Sequence, residues 1–233
     1  MEIQPGQIVV RRCNRALLRA SIAVLAFAVG IFLIPSRAAA DNINISFQES
    51  GVNGGAITQV TTGVGSASFS GTYGTFSVNN VSAIGSPSLT EPGLETSSMN
   101  VSGSSGGTLN VFITETGLTS PSGANDFLSS FTSQLFSGNV TSVTEQTFLG
   151  DPGTGTLLAS QTFSSIGSAT AQTLVNLPST YNETIEYTIV TTGSGSVNDT
   201  VNISAAEPST APLLGLGLAG IFGIGLKRRL VLG

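Results

Sequence analysis

The 233-residue chain has no histidine, no tryptophan and a single cysteine, and all its basic residues lie near its two ends. Arg11, Arg12, Arg15, Arg19 and Arg37 stand at the front, and Lys227, Arg228 and Arg229 at the back. Between them, the 164 residues from Asp41 to Ser204 hold no lysine, arginine or histidine. Each absence removes a chemistry. Cys13 precedes this stretch, so it has neither imidazole nor thiol for a Ser-His-Asp or Cys-His nucleophile. It likewise has none for a zinc, copper or haem site built on those ligands. A Walker-type phosphate loop lacks its lysine. Nucleic acid is excluded as a partner, because neutralising its phosphates takes lysine or arginine. No cofactor is expected, and no salt bridge can form within the stretch.

What is present is acidic, polar and hydroxylated. The stretch carries 11 carboxylates and no cation, a formal charge of −11, together with 55 Ser plus Thr, 21 Gly and 13 Asn. Its apolar residues alternate with polar ones in short runs, the period of a half-buried strand. Ile43, Ile45 and Phe47 form one such run; Leu109, Val111 and Ile113 another; Ile185, Tyr187 and Ile189 a third; Val201 and Ile203 a fourth. Further strands are predicted over 56–61, 65–70, 74–79, 96–102, 141–149, 156–164 and 170–176, punctuated at Gly71 to Gly74, Gly150 to Gly155 and Gly193 to Gly195. The pattern predicts an antiparallel β-sandwich of about 8–11 short strands. Over 126–138, Phe127, Phe131 and Leu135 recur every four residues, which fits a helix face or one side of a strand. The serines and threonines between them favour strand, capping the core or lying at an edge.

No motif in this stretch points to catalysis. A glycosidase-type carboxylate pair could be drawn only from Glu115, Glu145, Glu183 and Glu186, and Glu183 and Glu186 fall on opposite faces of one strand. Asp151-Pro152-Gly153-Thr154 reads as a turn before it reads as a calcium ligand. Asn-x-Ser/Thr occurs seven times, at Asn44, Asn80, Asn100, Asn139, Asn182, Asn198 and Asn202, against about four expected by chance from this composition. Surface-strand composition accounts for the excess more economically than glycan attachment.

The ends read as addresses. An arginine-rich segment precedes an apolar run from Ile22 to Ile34, Pro35 follows, and Ala38-Ala39-Ala40 supplies small residues at a cleavage site. Thirteen residues span about 20 Å as a helix, too short for a ~30 Å hydrocarbon core. Residues 1–40 are therefore expected to be a signal peptide, with Ala38 and Ala40 in the signal peptidase subsites and Asp41 the first mature residue. At the other end, Glu207-Pro208-Ser209-Thr210 leads into an apolar stretch over 211–226 and then Lys227-Arg228-Arg229. A short span with a basic terminus orients its basic end to the cytoplasm.

This combination resembles the PEP-CTERM sorting signal of exported bacterial proteins, on Glu207, Pro208, the apolar span and Lys227, Arg228 and Arg229. Ala206 stands where the first proline of that motif would be. The resemblance covers about 30 residues of tail (205–233, with the motif at 206–210). It implies an exosortase-type membrane enzyme as partner and transient insertion in the inner membrane. It also implies a final place at the cell surface or outside a Gram-negative cell that makes exopolysaccharide. With 41–204 as the acidic β domain, the reading is a non-catalytic surface or extracellular-matrix protein associated with exopolysaccharide. The alternatives are a glycan-, calcium- or ice-binding module and, behind them, a surface hydrolase.

Overall fold

The computed structural model describes residues 41–89 and 93–205. The signal-peptide residues and 206–233 of the sorting tail lie outside the described residues. Within them there is no α-helix, only a 3-10 turn at Asn53–Gly55, and ten strands. No helix among the described residues is long and apolar enough to cross a membrane.

The strands are β1 (Asn42–Gln48), β2 (Thr58–Val64), β3 (Ser66–Tyr73), β4 (Phe76–Ile84), β5 (Gly93–Gly103), β6 (Gly106–Leu118), β7 (Gly123–Leu149), β8 (Thr156–Phe163), β9 (Gly167–Leu177) and β10 (Tyr181–Ala205). Every pairing is antiparallel. β7 and β10 organise the molecule. They pair with each other from Glu183 opposite Leu149 to Ala205 opposite Phe127. The first half of β10 also pairs with β6, and its second half with β5. β7 likewise pairs with β9 along its first half and β8 along its second. The network therefore divides into half A, β2-β1-β6-β10-β7-β8, and half B, β3-β4-β5-β10-β7-β9.

The two long strands bend where glycine allows it. The register breaks between Thr191 and Gly195, opposite Gly138. Gly138 has φ +67°, and a Cβ on Gly195 would lie 2.6 Å from the Ser137 carbonyl oxygen. Side chains for which there is no room are absent from both positions.

The halves close face to face on the inward side of the alternation. Ile43, Ile45, Phe47, Leu109, Ile113, Ile185 and Ile203 are fully buried. Each such side chain contributes roughly 1.5–3 kcal/mol. Phe47 of half A meets the rings of Phe69 and Tyr73 of half B edge-on at 5.2 and 5.3 Å, and the Tyr73 hydroxyl donates to the Phe47 carbonyl. The Ser129 and Thr147 hydroxyls, from the two halves of β7, meet across the core at 2.8 Å.

The antiparallel sandwich and its ten strands agree with the sequence reading, but the strands are not all short. β7 has 27 residues and β10 has 25. Gly193 to Gly195, read as a turn, is a bend within β10. Gly71, read as the start of a turn, is a register irregularity inside β3. Residues 126–138 are strand; 126–133 lie between β10 and β9, not at an edge, and 135–138 pair with β10 alone. Phe127 and Phe131 point inward, whereas Leu135 is 40% exposed. The reason is a bulge: Asp199 pairs with Ser133 and Asn198 with Leu135, so Gln134 is inserted and the facing reverses after it.

Candidate functional site

Of the site residues expected from the sequence, Ala38, Ala40, Glu207, Pro208, Lys227, Arg228 and Arg229 lie outside the described residues. Asp41 is the first described residue and is buried.

The carboxylates are arranged in a way the sequence did not disclose. Glu183 and Glu186 do face opposite sides of β10, with Glu183 fully buried and Glu186 only partly. Glu183, however, sits directly opposite Glu115 of β6, which is also fully buried. Asp41, one residue before β1, is buried and close enough to Glu115 to act on it. Burial pushes Glu115 up to about 7; the Ser86 N–H bonded to its Oε1 opposes this, and Asp41 adds to it. Burial, then the Glu115 charge, raises Glu183 well above the carboxylate range. Asp41 is raised by burial.

A second buried group lies across the middle of the core. Glu145 of β7 and Asp199 of β10 are both fully buried, and none of their four carboxyl oxygens meets a hydrogen-bond donor at bonding distance. Burial and then the Asp199 charge push Glu145 up to about 9, with the Thr132 amide tempering the rise. Burial raises Asp199 to about 7 against the nearby Ser133 hydroxyl. Tyr187, directly opposite Glu145, bonds through its hydroxyl to Thr96, which in turn accepts from the Val201 N–H. Carboxyls in this setting are held toward their neutral form and are sealed from solvent, a poor position for attack on a substrate.

The outer face of half A is the surface the register assembles most coherently. Three rows cross it. Thr62, Asn44, Thr114, Thr184, Phe148 and Leu157 are aligned in the first. The second runs Gln59, Ser46, Phe112, Glu186, Gln146, Ser160. In the third stand Gln48, Asn110, Thr188, Thr144 and Thr162. Side chains in these rows hold one another: Thr62 donates to Asn44 at 2.7 Å, Asn110 to Gln48 at 2.9 Å, and Thr144 meets Thr162 at 2.9 Å. The Asn110 Oδ1 is buried without a donor. Glu186 is the one carboxylate in the three rows, raised by burial. Phe112, Thr114 and Thr184 are buried within these rows; the remaining positions present amides, hydroxyls, the Glu186 carboxyl and the apolar Phe148 and Leu157, and no cation.

The other two sequence features have structural explanations. In all seven Asn-x-Ser/Thr triplets the middle residue (Ile45, Val81, Val101, Val140, Glu183, Asp199 or Ile203) is buried, and none of the asparagines is. The triplet is what an outward-inward-outward strand yields when its outer face is Asn, Ser and Thr. At Asp151 the chain turns, with the Thr154 and Gly155 amides donating to the Asp151 carbonyl and Gly153 at φ +74°. The Asp151 carboxylate accepts from the Asn182 amide at 2.6 Å. Among the described residues no group of three or more His, Cys, Asp or Glu is arranged to hold a metal ion.

No family model matches the chain, and no curated protein matches it. Among solved structures, the C-terminal family 6 carbohydrate-binding module of a laminarinase from Zobellia galactanivorans is 14% identical, with 60% of this chain and 98% of that one covered and a TM-score of 0.28. A family 4 carbohydrate-binding module is 10% identical over 70% of this chain and 86% of that one, with a TM-score of 0.33. The K1 cleaved adhesin domain of Lys-gingipain from Porphyromonas gingivalis is 14% identical over 60% and 98%, with a TM-score of 0.29.

Proposed function

We propose that the chain is an exported, non-catalytic module that contacts polysaccharide at the cell surface through the outer face of half A. The observation that carries this reading is the three-row array on that face. Three of its side-chain pairs, Thr62–Asn44, Asn110–Gln48 and Thr144–Thr162, are held by cross-strand hydrogen bonds, so little side-chain entropy is lost at those positions when a hydroxyl-rich ligand binds. The absence of cations suits a neutral glycan and disfavours an anionic one. The non-catalytic part is supported by the burial of Glu115, Glu145, Glu183 and Asp199, which keeps these four carboxyls away from a glycosidic bond. The ends complete the proposal: a signal peptide delivers the domain, and a PEP-CTERM-like tail presents it to an exosortase-type enzyme.

The test is affinity electrophoresis of the exported protein through gels containing neutral polysaccharide or the producing cell's own exopolysaccharide. Saturable retardation is expected, weakened at least about tenfold in Kd by the double variant Asn110→Ala, Gln146→Ala and unaffected by Asn198→Ala on half B. Because a lost hydrogen bond to a ligand costs roughly 0.5–1.5 kcal/mol, two losses suffice for that change. Unretarded migration in every gel would sink the proposal.

A further inference from the structure

The peptide bond between Asp151 and Pro152, in the turn from β7 to β8, is held on every side. The Asp151 carbonyl oxygen receives three donors: the Gly155 amide at 2.9 Å, the Thr154 amide at 3.2 Å and the Thr154 hydroxyl at 3.4 Å. A Cβ on Gly155 would stand 3.2 Å from that oxygen, so glycine leaves the approach open. Gly150, just before, is fixed through both backbone groups. Its amide donates to the Asn182 carbonyl at 2.8 Å, and its carbonyl accepts from the Thr184 hydroxyl at 2.7 Å. The Asp151 side chain is restrained as well, Oδ1 accepting from the Asn182 side-chain amide at 2.6 Å. Asn182 is anchored in turn, its Oδ1 accepting from the Gly117 amide at 3.1 Å. The following proline contributes a tertiary amide nitrogen, which donates no hydrogen bond and departs as a secondary amine. Asp151 is exposed, so water reaches it. An ordinary β-turn places one donor on its first carbonyl. Three donors, with a restrained carboxylate within five-membered-ring reach of the same carbon, make an oxyanion site that carries its own nucleophile.

From this geometry we propose that the folded chain cuts itself between Asp151 and Pro152, with the Asp151 carboxylate as nucleophile. Its Oδ2 adds to the carbonyl carbon of the same residue and closes the ring. The carbonyl π pair moves onto oxygen, where the Gly155 and Thr154 donors meet the new charge. As the C=O re-forms, the C–N bond breaks and its electron pair stays with the Pro152 nitrogen, which takes a proton from acidic solvent. The ring left on Asp151 is a cyclic anhydride. Water opens it to an α-carboxyl and a side-chain carboxyl, and a proton returns to solvent. One water is consumed, and nothing is oxidised or reduced. The event happens once per chain and is independent of glycan binding. The two pieces stay together, because β7 lies before the cut and its partners β8, β9 and β10 lie after it. Cleavage thus turns one chain into two, joined only by pairing and packing, with residues 206–233 on the second.

The experiment incubates the exported protein, as recovered from cells, at pH 5, both native and in concentrated guanidinium chloride, and reads intact masses after denaturation. The expected result is one fragment ending at Asp151 and one beginning at Pro152, their masses summing to the parent plus one water. They should form at least about tenfold faster from the native protein, because only the fold restrains the carboxylate and assembles the donors. Near pH 8, with few protons for the leaving nitrogen, the chain is expected to stay whole during preparation. Asp151→Asn should abolish the cut. Asn182→Ala and Thr154→Val should each slow the native reaction at least about threefold and leave the denatured rate unchanged. Circular dichroism checks that both variants keep the β fold. Equal native and denatured rates overturn the proposal, since the bond is then no more reactive than in any unfolded chain. Slower native cleavage, or none, overturns it too, as does a cut that persists in Asp151→Asn. Native rates unchanged in both Asn182→Ala and Thr154→Val would likewise show that the fold supplies nothing.

Discussion

At the level of single residues, the notable feature is the placing of carboxyls where hydrophobic side chains normally go. Glu145 stands in the inward row of β7 between Val143 and Thr147, and Asp199 in that of β10 between Val197 and Val201. With no cation available, such groups enter the core as acids. In the unfolded chain a glutamate titrates near 4.5, whereas Glu145 in the fold is pushed up to about 9 and Asp199 to about 7. The native state therefore binds more protons than the unfolded state between those limits, and stability falls as pH rises through that window. Below about pH 4.5 both states are protonated and the contribution is fully present. The thermal midpoint should accordingly be higher at pH 5 than at pH 8.5. Glu145→Gln, isosteric and uncharged, should leave the midpoint at pH 4.5 within a few degrees of the parent and stabilise the protein at pH 8.5. At ~1.4 kcal/mol per pH unit of differential protonation, a gain of at least about 2 kcal/mol is expected. Chemical denaturation at the two pH values measures it, and an equal effect at both would show that Glu145 does not titrate on unfolding.

At the level of elements, the bend in β7 and β10 decides the architecture. Straight strands of 27 and 25 residues would give one wide sheet with its apolar face in water; bending at Gly138 and Gly195 folds that sheet onto itself. Gly195→Val places side-chain atoms on the Ser137 carbonyl and should destabilise the protein by about 2 kcal/mol or more, read from the urea midpoint. The equivalent change at Gly123, where a Cβ meets nothing within 4 Å but φ is +82°, should cost only backbone strain of about 1 kcal/mol. Equal losses at the two positions would argue against a close approach at the corner. This is also where sequence reading loses its grip. The alternation of Ile185, Tyr187 and Ile189, and again of Val201 and Ile203, exposes both inward rows. Nothing in Gly193-Ser194-Gly195 distinguishes a bend within a strand from a turn between two. Leu135 was misplaced for a related reason: a one-residue bulge reverses the facing without altering the composition. The carboxyl pairs were illegible because Glu115 and Glu183 are 68 positions apart in the sequence, and only the β6–β10 register brings them together. The outer-face array was legible as composition and not as rows, since rows too depend on register.

At the level of the whole molecule, the distribution of charge gives the proposed processing a direct readout. The described domain carries acidic residues and no basic ones, so copies of it repel one another. The cations are left to the ends, where processing would remove them. The consequence can be read with one protease. Between Arg37 and Lys227 there is no lysine or arginine. A chain cut at Ala40 and again near Glu207 therefore contains no tryptic site at all, folded or denatured. Protein recovered from the medium or the cell surface should keep its intact mass after trypsin treatment in 8 M urea followed by dilution. If the tail is retained as a plain anchor, the same digestion removes the residues after Lys227 and lowers the mass by that amount. Retention of the signal segment would instead release fragments ending at Arg11, Arg12, Arg15, Arg19 and Arg37. Because resistance here comes from sequence and not from fold, no difference in stability between the forms can imitate the result. A trypsin-dependent loss at the C-terminus of the final, surface-located protein would reduce the sorting tail to an anchor.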